Sequence, residues 1–402
     1  MTPTRRTSTA RTSTRSALRA RLCVIGVLAA MVAGVLVTTP VTADAGSARK
    51  LPPPPTYPDG YFGISAGADL TNESPALFDR EINLMKVAGA EWVRADIPWS
   101  LVQHNRPTDA DWLRVDRLVN MVQARGMKLD AIIGAPPLWA YRSPPPVDGC
   151  AVAPDFDVFA YANFAAAVAQ RYGSARVPVI ELENAPNLPG PHADWHTANA
   201  CVYSRLMQAS YPAIKAVDPS ITVLTGGLGA QNNKRGGISG DSYLAQMYQY
   251  GAQGSFDAVS WHPYSYPCFP TQSCEQSRPW YRTTRVRQLM VDNGDGDKLI
   301  WSTEFGAPTN GVPNDGHVDE NNQAAMMVNA MQTWKTFSFA GPFFVFEFRD
   351  TGGSTDQKDN WFGLTSSDMN HRKLSYYTYK YEATGRSKVT IPDNVLAGEP
   401  HA

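Results

Sequence analysis

The sequence is poor in the features that mark nucleic-acid-binding and metal-binding proteins. Its 402 residues include only seven histidines and five cysteines. The 36 lysines and arginines are balanced by 37 acidic residues, which gives a formal net charge of −1. The absence of a basic excess argues against nucleic acid as a partner. A lone C-x5-C pair is a poor zinc signal, and the acidic turn DNGDGDK at 292–298 lacks the glutamate that completes a calcium loop. We therefore expect neither a metal nor a cofactor.

One long apolar run is present, at 22–37, and it lies near the N-terminus. It follows 21 residues with six arginines and no acid, and it precedes Ala43-Asp44-Ala45, a small-residue cleavage sequence. This order is typical of a secretory signal peptide. The alternative is an uncleaved membrane anchor, but 16 residues are slightly short for a membrane span. We predict a signal peptide over 1–45 and a secreted or cell-envelope location.

Loss of the predicted signal peptide changes the charge and the cysteine count. Residues 1–45 carry six arginines and one aspartate, so the formal net charge moves from −1 to −6. The four cysteines that remain outside the apolar run are even in number, which predicts two disulfides in an exported protein. Three pairings are possible, and free thiols are the less favoured alternative. The short spacing of Cys268 and Cys274 favours one bridge within a loop, which leaves Cys150 for Cys201.

Short apolar segments alternate with helical periodicity over most of the chain. A proline-rich linker is predicted first, over 46–60. The strand candidates after it are apolar on both faces, as parallel strands covered on both sides require. The predicted strands are 61–67, 91–98, 128–135, 177–184, 221–227, 256–264, 298–305 and 341–348, and the predicted helices are 75–90, 109–126, 155–173, 199–216, 241–251, 279–292, 319–336 and 370–384.

Eight strand–helix units predict an α/β fold of one domain, a (β/α)8 TIM barrel over 61–386. A short polar tail is predicted over 387–402. The alternative is a doubly wound open sheet, but no glycine-rich phosphate loop follows the first strand. We expect the barrel to be a monomer.

Polar residues stand where the predicted strands end. In a TIM barrel the active site lies at the carboxyl ends of the strands, so these side chains should converge. They are Arg94 and Asp96 on the second strand, Glu181, Glu183 and Asn184 on the fourth, His262 and Tyr264 on the sixth, Glu304 on the seventh, and Glu347, Arg349 and Asp350 on the eighth.

Tryptophans occur in or near the same loops. They are Trp99, Trp139, Trp195, Trp261 and Trp361. An indole ring stacks well on the apolar face of a sugar, although a single tryptophan is more often part of a core. We predict that Trp99 and Trp139 bind substrate.

Several sequence segments resemble those of the retaining glycoside hydrolases in the (β/α)8 superfamily called clan A, and they are nearest to families 39 and 5. The segments are WVRADIPWSLVQ, ENAPNLPG, AVDPSITVLTGGL, FDAVSWHPY and WSTEFGAPTNG, with a weaker match at FEFRD and NWFGL. The resemblance covers nearly all of 60–385 and is specific for fold and site architecture, but not for a substrate. It implies hydrolysis of O-glycosidic bonds in a polysaccharide or glycoconjugate.

The resemblance also implies a role for each site residue. Glu304 matches the nucleophile, and Arg94 matches the arginine that keeps the nucleophile ionised. His262 and Tyr264 match residues that line the sugar subsite. Asn184 matches the asparagine that binds the sugar 2-hydroxyl.

One position departs from the family pattern. The fourth strand of the family ends in Asn-Glu-Pro, whose glutamate is the general acid/base, but this chain has Asn184-Ala185-Pro186. Retaining hydrolysis uses two carboxyl groups about 5–5.5 Å apart. We therefore expect an impaired or replaced acid/base, with Glu183, Asp194 and His196 as replacements and Glu347 as a less favoured one.

Two other readings remain open. One is a catalytically silent carbohydrate-binding protein on the same barrel. The other is a structural envelope protein, which would not require the Arg94, Asn184, Tyr264 and Glu304 set.

Overall fold

The structure is a computed structural model that describes residues 51–66, 70–189, 198–230, 236–274 and 278–400. The predicted signal peptide lies outside the described residues. So do Asp194, Trp195 and His196 in the loop after the fourth strand.

Eight parallel strands close into a single barrel. Each strand pairs with the next one in the chain, and the eighth returns to the first. Every predicted strand overlaps an observed one, so the (β/α)8 prediction is confirmed. The strands are β1 Phe62–Ser65, β2 Trp92–Pro98, β3 Lys128–Gly134, β4 Val179–Asn184, β5 Thr222–Gly229, β6 Val259–His262, β7 Ile300–Phe305 and β8 Ala340–Phe346.

Helices lie between successive strands and cover the barrel. Several begin at a polar residue whose side chain accepts a backbone N–H of the first turn; Ser74, Asp157, Asn199 and Asp319 do so. Such caps satisfy donors that the helix itself leaves unpaired. The helices are α1 Pro75–Ala88, α2 Trp99–Val102, α3 Leu113–Ala124, α4 Val158–Arg176, α5 Ala200–Val217, α6 Gly240–Gln249, α7 Arg278–Asp292, α8 Glu320–Trp334, α9 Leu374–Thr384 and α10 Asp393–Leu396.

The barrel interior changes from apolar to charged along the strands. Its lower layer is a buried cluster that includes Trp92 of β2 and Val179 of β4. Side chains alternate between the two faces of a strand. The next inward positions on these strands are therefore Arg94 and Glu181, both buried. The charged layer lies directly above an apolar floor and below the loops.

The segment after the barrel is not the polar tail that its composition predicts. Ile391 and Val395 are 2% and 0% exposed and pack in one cluster with Ala324 and Ala325 of α8. The short helix α10 carries Val395 onto this surface. The prediction of a polar tail is therefore wrong for these residues, and the partly buried Val389 and Leu396 of the same segment pack against the cluster as well.

Both predicted disulfides are present. Cys150 pairs with Cys201, which joins the loop after β3 to α5, with Cα atoms 5.7 Å apart. Cys268 pairs with Cys274 within the loop after β6, with Cα atoms 6.7 Å apart. Among the described residues, no helix has the length and apolarity to cross a membrane.

Candidate active site

Arg94 is the centre of a buried ion cluster at the carboxyl end of the barrel. Its Nε and Nη2 donate to the two oxygens of Glu181 at 2.9 and 2.7 Å, and its Nη1 donates to Oε1 of Glu304 at 2.6 Å. Nη2 also donates to Oδ1 of Asn184 at 2.9 Å, and Nη1 to the hydroxyl of Ser65 at 3.1 Å. A planar guanidinium with five donors suits this number of acceptors.

Glu304 of β7 is held in its ionised form. The hydroxyl of Tyr264 donates to Oε2 at 2.8 Å, and Nδ1 of His262 lies 3.4 Å from the same oxygen. Burial alone would raise the pKa of Glu304, but His262, Arg94 and the hydrogen bond from Tyr264 together hold that pKa below its ordinary value. The charge of Arg94 and the hydrogen bond from Tyr264 favour the charged form of the carboxyl, and His262 does so when its ring is protonated.

His262 is neutral at neutral pH. Burial lowers the pKa of its imidazole to about 4, despite the opposing effect of Glu304. Arg94 and Tyr264 are therefore the groups that keep Glu304 charged near pH 7. The other ring nitrogen of His262, Nε2, lies 3.0 Å from the hydroxyl of Thr303, which in turn contacts the hydroxyl of Ser260.

A glycine on the neighbouring strand makes room for the imidazole. A Cβ atom at Gly227 of β5 would overlap the ring of His262. The backbone N–H of the same residue donates to Oε1 of Glu181 at 2.8 Å. Gly227 therefore contributes to both the ion cluster and the histidine pocket.

The strand ends open into a cavity of about 1280 Å³. That volume exceeds the roughly 300–1,000 Å³ of ordinary small-molecule sites, so it has room for an oligomeric ligand. Among the described residues, the tyrosine and phenylalanine side chains on its wall are Tyr264, Tyr266, Phe346 and Phe362. The predicted site residues on its wall are Arg94, Asp96, Asn184, Ala185, His262, Tyr264, Glu304, Glu347 and Arg349.

The predicted strand-8 residues divide between the cavity and the layer behind it. Arg349 lines the cavity and forms ion pairs with Glu73 and Glu81. Asp350 does not line the cavity, and its carboxylate pairs with Lys373 at 2.8 Å. Asp350 therefore has a structural environment rather than a place at the site.

The end of β4 places Ala185 on the cavity wall. Ala185 has φ +48° and is 5% exposed. Glu183, two residues earlier, has φ +72°. Left-handed backbone at residues other than glycine is uncommon and is often found at functional sites. The side chain of Ala185 is a methyl group, so this part of the wall presents no carboxyl.

Glu183 lies outside the cavity. Its side chain is fully buried, and it is not among the residues that line the wall. Tyr203 and Tyr243 belong to the covering helices α5 and α6. Their own burial is the main cause that raises their pKa values, and the charge of Glu183 adds to it. Its carboxyl therefore faces the layer between strands and helices and has no access to a ligand from this position.

The structure corrects the predicted role of the tryptophans. Trp99 is 0% exposed and packs against Trp139, Tyr161 and Phe164, so it offers no ring face to a sugar. The prediction that Trp99 binds substrate is wrong, because α2 begins at this residue and turns it into the helical layer. Trp139 is partly buried, donates to the carbonyl of Gln103 at 2.8 Å and is not on the cavity wall, so no substrate contact is placed there.

Sequence reasoning missed Thr303, Asp130 and three of the four aromatic wall residues, Tyr266, Phe346 and Phe362. Asp130 is a buried acid in a strand whose other buried residues are apolar, and that contrast is the signal that points to it. Thr303 is also buried, but it lies between Ser302 and Glu304, so no such contrast marks it. Among the described residues, no group of three or more histidine, cysteine or acidic side chains is placed to hold a metal ion.

The chain matches one family model over residues 69–341. That model is described as cellulase, glycosyl hydrolase family 5. Among curated proteins, no sequence matches the chain.

Several solved structures share the fold. A family 39 glycoside hydrolase from the gut symbiont Bacteroides cellulosilyticus WH2 is 22% identical, with a TM-score of 0.60 over 80% of this chain and 63% of that one. A monomeric beta-xylosidase from Caulobacter crescentus is 19% identical, with a TM-score of 0.61 over 84% and 70%. A family 5 structure from Bifidobacterium longum in complex with Manb1-4GlcNAc is 14% identical, with a TM-score of 0.60 over 81% and 78%. The chain thus spans less than two thirds of the first of these proteins.

Proposed function

The chain belongs to the cellulase family, glycosyl hydrolase family 5, and we propose that it is a secreted, retaining-type glycoside hydrolase in which Glu304 is the nucleophile and Ala185 replaces the acid/base. The substrate class is a polysaccharide or glycoconjugate. The observation that carries the proposal is the ionised Glu304 on the cavity wall, bound by Arg94 at 2.6 Å and by Tyr264 at 2.8 Å. The two disulfides and the predicted signal peptide support an extracellular location.

The first half-reaction uses groups that are in place. A carboxylate oxygen of Glu304 attacks the anomeric carbon, and the glycosidic bond breaks with its electron pair on the departing oxygen. The transition state carries positive charge on the sugar, which the buried carboxylate stabilises. Asn184 lies on the cavity wall, and its Oδ1 accepts from Arg94 at 2.9 Å. Its amide nitrogen is the donor that we propose for the sugar 2-hydroxyl.

The general acid/base of a retaining site is missing here, because Ala185 has no carboxyl group. In a complete site a carboxylic acid protonates the leaving oxygen and later removes a proton from water. Loss of that group costs roughly 10²- to 10⁴-fold, and the cost is largest for poor leaving groups. We therefore propose impaired turnover of natural glycans and preserved reaction with activated glycosides.

Other acids on the wall are candidates for replacing the missing group. Asp96 and Glu347 line the cavity. Asp194 and His196 lie in the loop outside the described residues. Substitution of each to its amide or to glutamine, followed by assay on an unactivated glycan, identifies a replacement if there is one.

A catalytically silent carbohydrate-binding protein is the second candidate function. The observation that favours it is the methyl group of Ala185 on a wall that is otherwise built for a ligand.

Mass spectrometry after incubation with 2,4-dinitrophenyl glycosides and glycosyl fluorides separates the two functions. A covalent glycosyl adduct on Glu304, absent in Glu304→Gln, supports the hydrolase. Saturable glycan binding without an adduct for any sugar supports the silent binder and overturns the nucleophile assignment.

A further inference from the structure

A second buried carboxyl group lies beside the Arg94 cluster, on β3. Asp130 is 0% exposed and stands opposite Arg94 in the register of β2 and β3. Paired residues on adjacent parallel strands point to the same face of the sheet. The side chain of Asp130 therefore shares the barrel interior with Arg94 and with Glu181 of β4.

The hydrogen-bond donors of this layer are divided unequally between the two carboxyl groups. Glu181 accepts from Nε and Nη2 of Arg94 and from the backbone N–H of Gly227. Neither oxygen of Asp130 receives a donor from the described residues. Glu181, on the adjacent strand and in the same barrel interior, is the carboxyl group whose charge and hydrogen bond act on Asp130. Two carboxyl groups form such a bond only when a proton lies between them.

Charge counting decides where that proton resides. Asp130, Glu181 and Glu304 are three buried carboxyl groups around one guanidinium. When buried carboxyl groups share one site, the charge of one raises the pKa of another, and their titrations are linked. Since Glu181 has three donors and Asp130 has none, the proton belongs to Asp130. Burial, and then the charge of Glu181, raise the pKa of Asp130 well above its usual range.

We propose that Asp130 is a positioning residue for the nucleophile: it carries a proton, donates it to Glu181 and so fixes the carboxylate that holds Arg94 against Glu304. This inference rests on the proposed role of Glu304. No covalent bond is made or broken at Asp130.

The arrangement predicts a loss of function at alkaline pH. The charged groups that act on Asp130 are Glu181 from β4 and Arg94 from β2, and Glu304 from β7 is reached through Arg94. Ionisation of Asp130 would add a third anion around one cation. It would remove the hydrogen bond to Glu181 and draw Arg94 away from Glu304.

Two substitutions of Asp130 distinguish loss of its hydrogen-bond donor from loss of its ionisable carboxyl group. Asp130→Leu removes the donor, and the rate of glycosyl-adduct formation should fall about 10- to 100-fold, the usual effect of one lost hydrogen bond to a charged group. Asp130→Asn keeps an N–H donor of similar size but does not ionise. It should recover most of that rate and abolish the alkaline decline of the unmodified protein. An Asp130→Asn rate as low as that of Asp130→Leu, or an unchanged alkaline decline, overturns the positioning role.

An infrared measurement tests whether Asp130 is protonated, and it does not depend on catalytic activity. The infrared difference spectrum of the unmodified protein minus Asp130→Asn at pH 7 should contain the carbonyl band of a protonated carboxylic acid. Absence of that band overturns the inference even if adducts form. The band without adducts for any activated glycoside leaves Asp130 protonated and refutes the role of Glu304 instead. If Asp130→Leu does not fold, the pH profile of Asp130→Asn and the infrared band still decide the matter.

Discussion

The Arg94 guanidinium lies 2.6 Å from the Glu304 carboxylate, and the two side chains are 1% and 11% exposed. Burial of both charges is costly unless each is compensated by hydrogen bonds. Arg94 is compensated by Glu181, Asn184 and Ser65 in addition to Glu304. The pair is therefore part of a network, and removal of one member leaves the others uncompensated.

Arg94→Met should destabilise the fold strongly. The substitution leaves Glu181 and Glu304 buried without their cation, which costs about 3–5 kcal/mol in comparable buried pairs. Urea-induced unfolding at pH 7 measures this change. The matched control is Arg106→Met, because the Arg106 side chain is 74% exposed in its ion pair with Asp109 and such pairs contribute about 0–1 kcal/mol. Equal losses for the two variants would contradict the network.

The low pKa of His262 predicts a stability that declines in acid. Its folded pKa of about 4 lies below the ordinary 6.5, so the unfolded chain binds a proton more readily between those values. The contribution is full above pH 6.5 and is lost as the pH falls toward 4. It amounts to about 3 kcal/mol at about 1.4 kcal/mol per pH unit.

Unfolding free energies measured from pH 4 to pH 7 test this assignment. His262→Gln should lose that part of the pH dependence, whereas the exposed His371 provides the control substitution His371→Gln. Parallel curves for the unmodified protein and His262→Gln would mean that His262 is not buried in its neutral form.

Gly227→Ala should damage the site without adding any polar group. A Cβ atom there overlaps the His262 ring, so the imidazole or the strand must move, at a cost of about 1–3 kcal/mol. We expect a lower unfolding midpoint and slower adduct formation at Glu304. Gly296→Ala is the control, because its added Cβ meets only ordinary contacts beyond 3.4 Å. A Gly227→Ala protein as stable and reactive as the control would show that the pocket has room.

The strand positions were predictable because each strand is an apolar run bounded by turn residues. The convergence of Arg94, Asn184, His262, Tyr264 and Glu304 followed from their places at strand ends in a barrel. The burial of Trp99 was not predictable, because it depends on α2, a single turn of helix that the periodicity does not reveal.

Asp130 shows a different limit of sequence reasoning. It stands in the run KLDAIIG, where a single acid among apolar residues signals a buried charge. The partner of that acid becomes visible only when β3 and β4 are placed side by side, with Asp130 opposite Val179 in the register. Local patterns locate such a group but do not identify its neighbour.

Ala185 predicts that the two half-reactions respond differently to a small anion. The proposed attack by Glu304 on a dinitrophenyl glycoside needs little protonation of the leaving group, so the adduct should form in a burst. Its breakdown needs a base to activate water, so the second step should be slow. Azide needs no base and fits the space left by a carboxyl group. It should accelerate turnover and release a glycosyl azide of retained configuration, detectable by NMR.

Ala185→Glu should restore the missing group, and its matched control is Ala185→Gln. The glutamate should raise hydrolysis of an unactivated glycan by about 10²-fold or more and remove the azide effect, since a positioned acid/base contributes about that much. The glutamine has the same size but carries no titratable proton, so it should give no such gain. The left-handed backbone at Ala185, φ +48°, is already adopted by a non-glycine residue, so a longer side chain adds no new backbone strain. Equal activity of the two variants, or brisk hydrolysis of the glycan by the unmodified protein with no response to azide, would mean that another acid supplies the proton.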